Sequence, residues 1–123
     1  MAVRYIESHP HVTENTGRVA ITRGPMLYCV EGADHSDADV RDLVLPSDTT
    51  LDATFEPDLL GGVMMLRGRA CAQAVDDQWN DTLYRTADTT PRPEHDAALR
   101  AIPYYAWANR EPGQMLVWLQ TPM

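Results

Sequence analysis

Turn signals cut the apolar pattern of this chain every few residues, and almost no stretch holds the spacing of a buried helix face. That pattern points away from helical bundles and from folds that alternate strands with crossover helices. Ala2–Ser8 alternates loosely. Asn15-Thr16-Gly17 then turns into Arg18–Arg23, where Val19 and Ile21 share a face. Gly24-Pro25 breaks that strand, and Met26–Glu31 follows, apolar on both faces as a central strand is. Leu51–Phe55 is a short strand stopped near Pro57, and Val63–Ala74 is the longest strand candidate, with a bulge or bend expected at Gly68.

Polar stretches separate these runs. Gly32–Thr50 carries Asp34, Asp37, Asp39, Asp42 and Asp48 around one apolar anchor, Leu43–Pro46, and reads as a loop with a single helical turn capped by Asp37. Asp76–Asp81, which contains Trp79, precedes a short strand over Thr82–Thr86. Pro91 and Pro93 make Ala87–His95 an irregular connection that no strand ladder accepts. The closing segment, Ala101–Leu119, reads as a hairpin, with Glu111-Pro112-Gly113-Gln114 placing Pro and Gly as a type II turn requires.

The expectation is a single all-β domain over residues 1–123. About eight short strands joined by long polar loops would form an antiparallel, jelly-roll-like β-sandwich, with a closed barrel as the second choice. The pattern leaves the strand order open.

Charge narrows the partners. A net charge of −8 argues against nucleic acid and against anionic membranes, both of which need a basic surface. All ten basic residues are Arg, which removes a Schiff-base lysine from consideration. No apolar run approaches the roughly 18 residues of a membrane span. The opening MAVRYIESHPH lacks a basic region followed by an apolar one, so the expected location is cytoplasmic. Cys29 and Cys71 are too far apart for a CxxC motif and sit in apolar strand-like runs, where a free Cys behaves as a small hydrophobe.

Few side chains form a pattern that carries chemistry. His9-Pro10-His11 can turn two imidazoles the same way, but two ligands do not complete a metal site, and exposed His beside a Pro kink is the favoured reading. The Asp34–Asp42 cluster is oxygen-rich but lacks the spacing and closing Glu of an EF-hand, so it reads as a solvated loop. Glu31, Glu56, Asp76 and Asp77 supply carboxylates for glycoside hydrolysis, yet nothing pairs any two of them. No phosphate loop, nucleophile elbow or HExxH motif is present. The aromatics remain. Tyr104, Tyr105, Trp107 and Trp118 could offer a sugar ring an apolar platform, and strand alternation would put Tyr105 and Trp107 on one face. Against this, most such rings fill a core or a domain interface.

Four segments, NTGRVAITRGPMLYCVEG, RDLVLP, LLGGVMMLRGRA and AIPYYAWANREPGQMLVWL, follow one another as in a known family. Together they resemble the C-terminal β-sandwich region of the bacterial β-L-arabinofuranosidases, glycoside hydrolase family 127. The opening MAVR is similar to the stretch that leads into that region in longer proteins. Glu111 stands where a Gly is usual and Ala2 where a Pro is common. The resemblance implies that catalysis belongs to an N-terminal (α/α)6 barrel, with a zinc-held cysteine thiolate as nucleophile and a Glu as acid/base. No residue of this chain matches those elements, so no catalytic residue, metal ligand or cofactor is assigned to it. The implied role is that of a non-catalytic accessory domain. Its partner would be the catalytic barrel or, in a homodimer, a second subunit. The alternative is a module that binds arabinose-containing glycans through Tyr105 and Trp107.

Overall fold

The structure is a computed structural model, and it describes residues 2–35, 38–73, 83–84, 94–107 and 113–122. These residues form nine strands and a few short 3₁₀ turns. The strands are β1 (Val3–Ile6), β2 (Arg18–Arg23), β3 (Met26–Glu31), β4 (Leu43–Val44), β5 (Asp52–Glu56), β6 (Val63–Gln73), β7 (Glu94–Pro103), β8 (Met115–Leu116) and β9 (Leu119–Gln120). The fold is the expected all-β sandwich. β6, with 11 residues, covers the expected long strand almost to its end, while β7, with 10, begins earlier than anticipated; the two pair from Leu66↔Ala101 to Gln73↔Glu94.

Hydrogen-bonded neighbours run β1-β2-β9-β4-β6-β7-β3-β8, with β5 on the free side of β6's first half. The short hairpin pairing of β2 with β3 joins the strands next to each end of this path. One pairing departs from the antiparallel expectation: Val44 lies parallel to Gln120. Around it, Leu45 N–H donates to the Gln120 carbonyl at 2.8 Å and Thr121 N–H to the Gly17 carbonyl at 2.9 Å.

Successive strand residues point to opposite faces; β3 is apolar on both beyond Met26, whereas β6 and β7 are apolar on their second face only near Val63, Met65 and Ile102. Tyr28, Val30, Leu66, Leu99 and Ala101 face the main core with Ile21, Leu43 and Leu119. Cys29, Met65 and Ile102 face the other way, into a second cluster closed by Val63 and Ala106 and flanked by Leu59 and Leu60. Each fully buried Leu or Ile here contributes about 1.5–3 kcal/mol over an exposed one. The outer strands β1 and β5 bury little, as sheet edges do.

Several local expectations change. The register passes Gly68 without a bulge, Gly68 facing Leu99. Glycine is required there because a Cβ would lie 2.5 Å from Leu51 Cδ2 and 3.0 Å from the Thr50 carbonyl oxygen. The acidic loop holds two 3₁₀ turns where one was expected, Gly32–Asp34 and Val40–Asp42, the second capped by Asp39, whose carboxylate accepts from Arg41 N–H; Asp37 lies outside the described residues. The closing segment is not a hairpin, because β3 lies between β7 and β8. The type II turn expected there involves Glu111 and Pro112, and Trp79, Asp76 and Asp77 belong to the preceding polar stretch; all five fall outside the described residues. Of the Thr82–Thr86 strand only Leu83 and Tyr84 are described, and neither is in a strand. Glu94 and His95, assigned to the irregular connection, begin β7.

Candidate functional site

The turn that follows β7 presents a group of exposed aromatic rings. Pro103 has no N–H to offer a ladder, and the chain tightens directly after it into a 3₁₀ turn, Tyr104–Ala106. Trp107 N–H closes the turn on the Tyr104 carbonyl at 3.2 Å. Ala106 is buried in the second cluster and anchors the turn to the sheet. Residues three apart eclipse in a 3₁₀ turn, so Tyr104 and Trp107 come together, with ring centroids 6.2 Å apart and planes at 35°.

Strand alternation therefore stops at Pro103, and the predicted pairing of Tyr105 with Trp107 on one strand face does not apply. Tyr105 is 61% exposed and Trp107 41%. The rings do not fill the core of this domain. Beneath them Tyr28 is buried, and its hydroxyl donates to the Met64 carbonyl at 2.8 Å. Burial pushes the Tyr28 phenol above its usual range, against the lowering influence of the Arg23 guanidinium. Beside the turn, Leu27, Tyr104, Met115, Val117 and Trp118 line an open cleft of about 460 Å³.

The register places this turn at a definite end of the sandwich. Tyr28 faces Pro103, Met26 faces Arg23, and Arg23 faces Val3. On the other side Phe55 faces Met64, and Leu66↔Ala101 extended by two residues brings Met64 beside Pro103. The tips of two hairpins, the aromatic turn and the start of β1 thus share one end. Met26 and Phe55 are exposed there as well, Phe55 at 58%. Leu60, Gly61 and Gly62 all take positive φ in the β5–β6 tip, and a Cβ on Gly62 would stand 3.0 Å from Phe55 Cζ.

The remaining candidates do not assemble a site. His9 and His11 stack edge to face at 5.0 Å, but His11 N–H donates to His9 Nδ1, and both rings are exposed. Among the described residues no three His, Cys, Asp or Glu side chains converge as metal ligands would. Asp39 forms an ion pair with Arg41 at 2.7 Å, and Glu56 pairs with Arg67. Glu31 is buried, whereas Glu56 is at a sheet edge. No disulfide joins Cys29, which is buried, to Cys71, which is half-buried. One residue that no sequence pattern singled out proves central to packing: His35, 4% exposed, joins β3 to β7.

Residues 3–120 match the glycoside hydrolase family 127 C-terminal domain. The chain belongs to that family. A non-reducing end β-L-arabinofuranosidase of Bifidobacterium longum subsp. longum is 39% identical over an alignment of 121 residues that covers 96% of this chain and 18% of that protein. The crystal structure of a family 127 β-L-arabinofuranosidase from Geobacillus stearothermophilus T6 superposes with a TM-score of 0.83 at 44% identity. That match covers 99% of this chain and 18% of the other. A second structure, described as a glycoside hydrolase, reaches a TM-score of 0.87 at 30% identity, over 100% of this chain and 20% of its own. The family 127 domain described here therefore spans less than a fifth of the curated relative it matches. No helix among its described residues is long and apolar enough to cross a membrane.

Proposed function

We propose that this family 127 C-terminal domain is a non-catalytic accessory sandwich of a glycoside hydrolase similar to the β-L-arabinofuranosidases, with its partner either a catalytic (α/α)6 barrel or a second subunit. The observation that carries the reading is the coverage: nearly the whole chain matches, yet it accounts for only 18% of the length of the arabinofuranosidases it matches. In this reading the zinc, the nucleophilic thiolate and the acid/base that the resemblance implies belong to the barrel. The expected location is the cytoplasm.

The test is an assay of the purified chain on aryl β-L-arabinofuranosides, beside the full polypeptide of its gene. The chain alone turns over no substrate, and activity appears only with the catalytic part. Turnover by the chain alone would overturn the accessory role.

The exposure of Tyr105 and Trp107 supports a second reading, in which this turn binds arabinose-containing glycans through ring stacking. It predicts chemical-shift changes at both residues on titration with arabino-oligosaccharides. An unperturbed spectrum would dismiss it.

A further inference from the structure

We propose that the end of the sandwich carrying Met26, Phe55, Tyr104, Tyr105 and Trp107 is the face against which the preceding, larger part of a family 127 polypeptide packs. The inference rests on the accessory reading and specifies its surface. These five side chains include every exposed Tyr or Trp of β7 and the turn after it, together with exposed residues from both adjoining hairpins. They belong to three separate segments that the register brings to one level. A large aromatic side chain buries about 150–250 Å² when covered, so the rings alone offer a substantial apolar contact.

The choice of occupant follows from where the chain enters. β1 begins at Val3, which faces Arg23 and through it Met26, so polypeptide ahead of Val3 arrives at this same end. From β1 through β2 and β3 to β7 there are three strand spacings, or roughly 15 Å along the sheet. The relatives carry more than four-fifths of their length outside the matched domain, and the match is to a C-terminal domain. A preceding domain is thus tethered beside the rings at high effective concentration, whereas a second copy has no such tether. The opposite end of β7 differs in character, with Asp48, Glu94 and Asp96 around Cys71.

Pro103, the backbone hydrogen bond from Trp107 to Tyr104 and the Ala106 anchor set the backbone from which these rings project, although the rings themselves are exposed.

The experiment is hydroxyl-radical footprinting of the full polypeptide, with calorimetry of the double variant Tyr105→Arg/Trp107→Glu and of the control Glu94→Arg. Labelling of Tyr105 and Trp107 in the native polypeptide is expected to fall several-fold below that in the denatured chain. The double variant splits a single unfolding transition into two, while the control does not. Strong labelling of both rings in a polypeptide that carries a catalytic part overturns the docking face and leaves the accessory role standing. A gene that encodes nothing ahead of the domain, with both rings labelled, overturns the accessory reading itself. Ring protection that disappears on dilution, together with a dimer, assigns the face to a second copy and overturns the proposal.

Discussion

The backbone N–H of Arg100 donates to Nε2 of His35 at 3.2 Å, and this one bond determines the tautomer of a buried ring. A backbone N–H cannot accept, so Nε2 is the acceptor and Nδ1 bears the hydrogen that reaches the Glu31 carbonyl at 2.7 Å. The Arg100 guanidinium adds a bond to the Asp34 carbonyl at 3.0 Å. Replacing His35 with Ala leaves a buried donor and a buried acceptor without these bonds and opens a cavity. The expected loss is about 2–4 kcal/mol. Urea unfolding measures it, and nitrogen chemical shifts of the wild-type ring should report the Nδ1–H form.

Gly68 is constrained by crowding, since its backbone does not occupy the left-handed region. A methyl group there meets both the Leu51 side chain and the Thr50 carbonyl. Gly68→Ala should therefore cost about 1–3 kcal/mol through overpacking. In a Leu51→Ala background the increment should shrink without vanishing, because the Thr50 oxygen remains. A double-mutant cycle by chemical denaturation separates the two contacts.

Asp39 caps the Val40–Asp42 turn while holding Arg41. The Arg41 side chain and then its N–H keep the carboxyl below its usual range. The native state thus favours the ionised form, and the unfolded chain binds more protons as pH falls. The stabilisation is fully present above the ordinary aspartate pKa of about 3.9 and is lost as pH drops through the lower native value. Because the pair is exposed, the effect is roughly 0.5–1 kcal/mol. Asp39→Asn should flatten the dependence of the urea midpoint between about pH 5 and about pH 2.

Cys71 has its thiol pushed up by burial and by the carboxylates of Glu94, Asp96 and Asp48. Less thiolate means slower alkylation than a free cysteine shows near its usual pKa of about 8.5. Glu94→Gln, which removes the carboxylate of largest influence, should accelerate the reaction. Cys29, buried in the second cluster, should react only on unfolding. Quantifying thiols with and without denaturant checks both.

Local strands were the most legible part of the sequence. β2 and β3 lie where the Asn15–Gly17 and Gly24-Pro25 turns put them, and β6 covers nearly the expected run. Those signals are short-range, since period-2 patterning and turn chemistry act within a few residues. The placement of Tyr104–Trp107 was not legible, because the tyrosines and tryptophan favour a strand by propensity. Pro103 and the apolar seat for Ala106 override that preference. Likewise, nothing local announces that β3 separates β7 from β8, or that His35 is buried. Both depend on partners tens of residues away, among them Arg100 and Ile102. The family was legible, since its four segments retain their order and spacing.

The position of β9 bears on how this domain is made in the cell. Leu119 and Gln120 insert between β2, which starts at Arg18, and β4, so the sheet's seam is completed by residues near the far end of the domain's sequence. During synthesis at roughly 5–20 residues per second, β2 waits several seconds for the neighbour that completes it. Until the ribosome releases that last stretch, the nascent domain carries an open edge beside its main core. A ribosome stalled shortly before Leu119 should therefore present a chaperone substrate, although most of the domain's core side chains have already been synthesised.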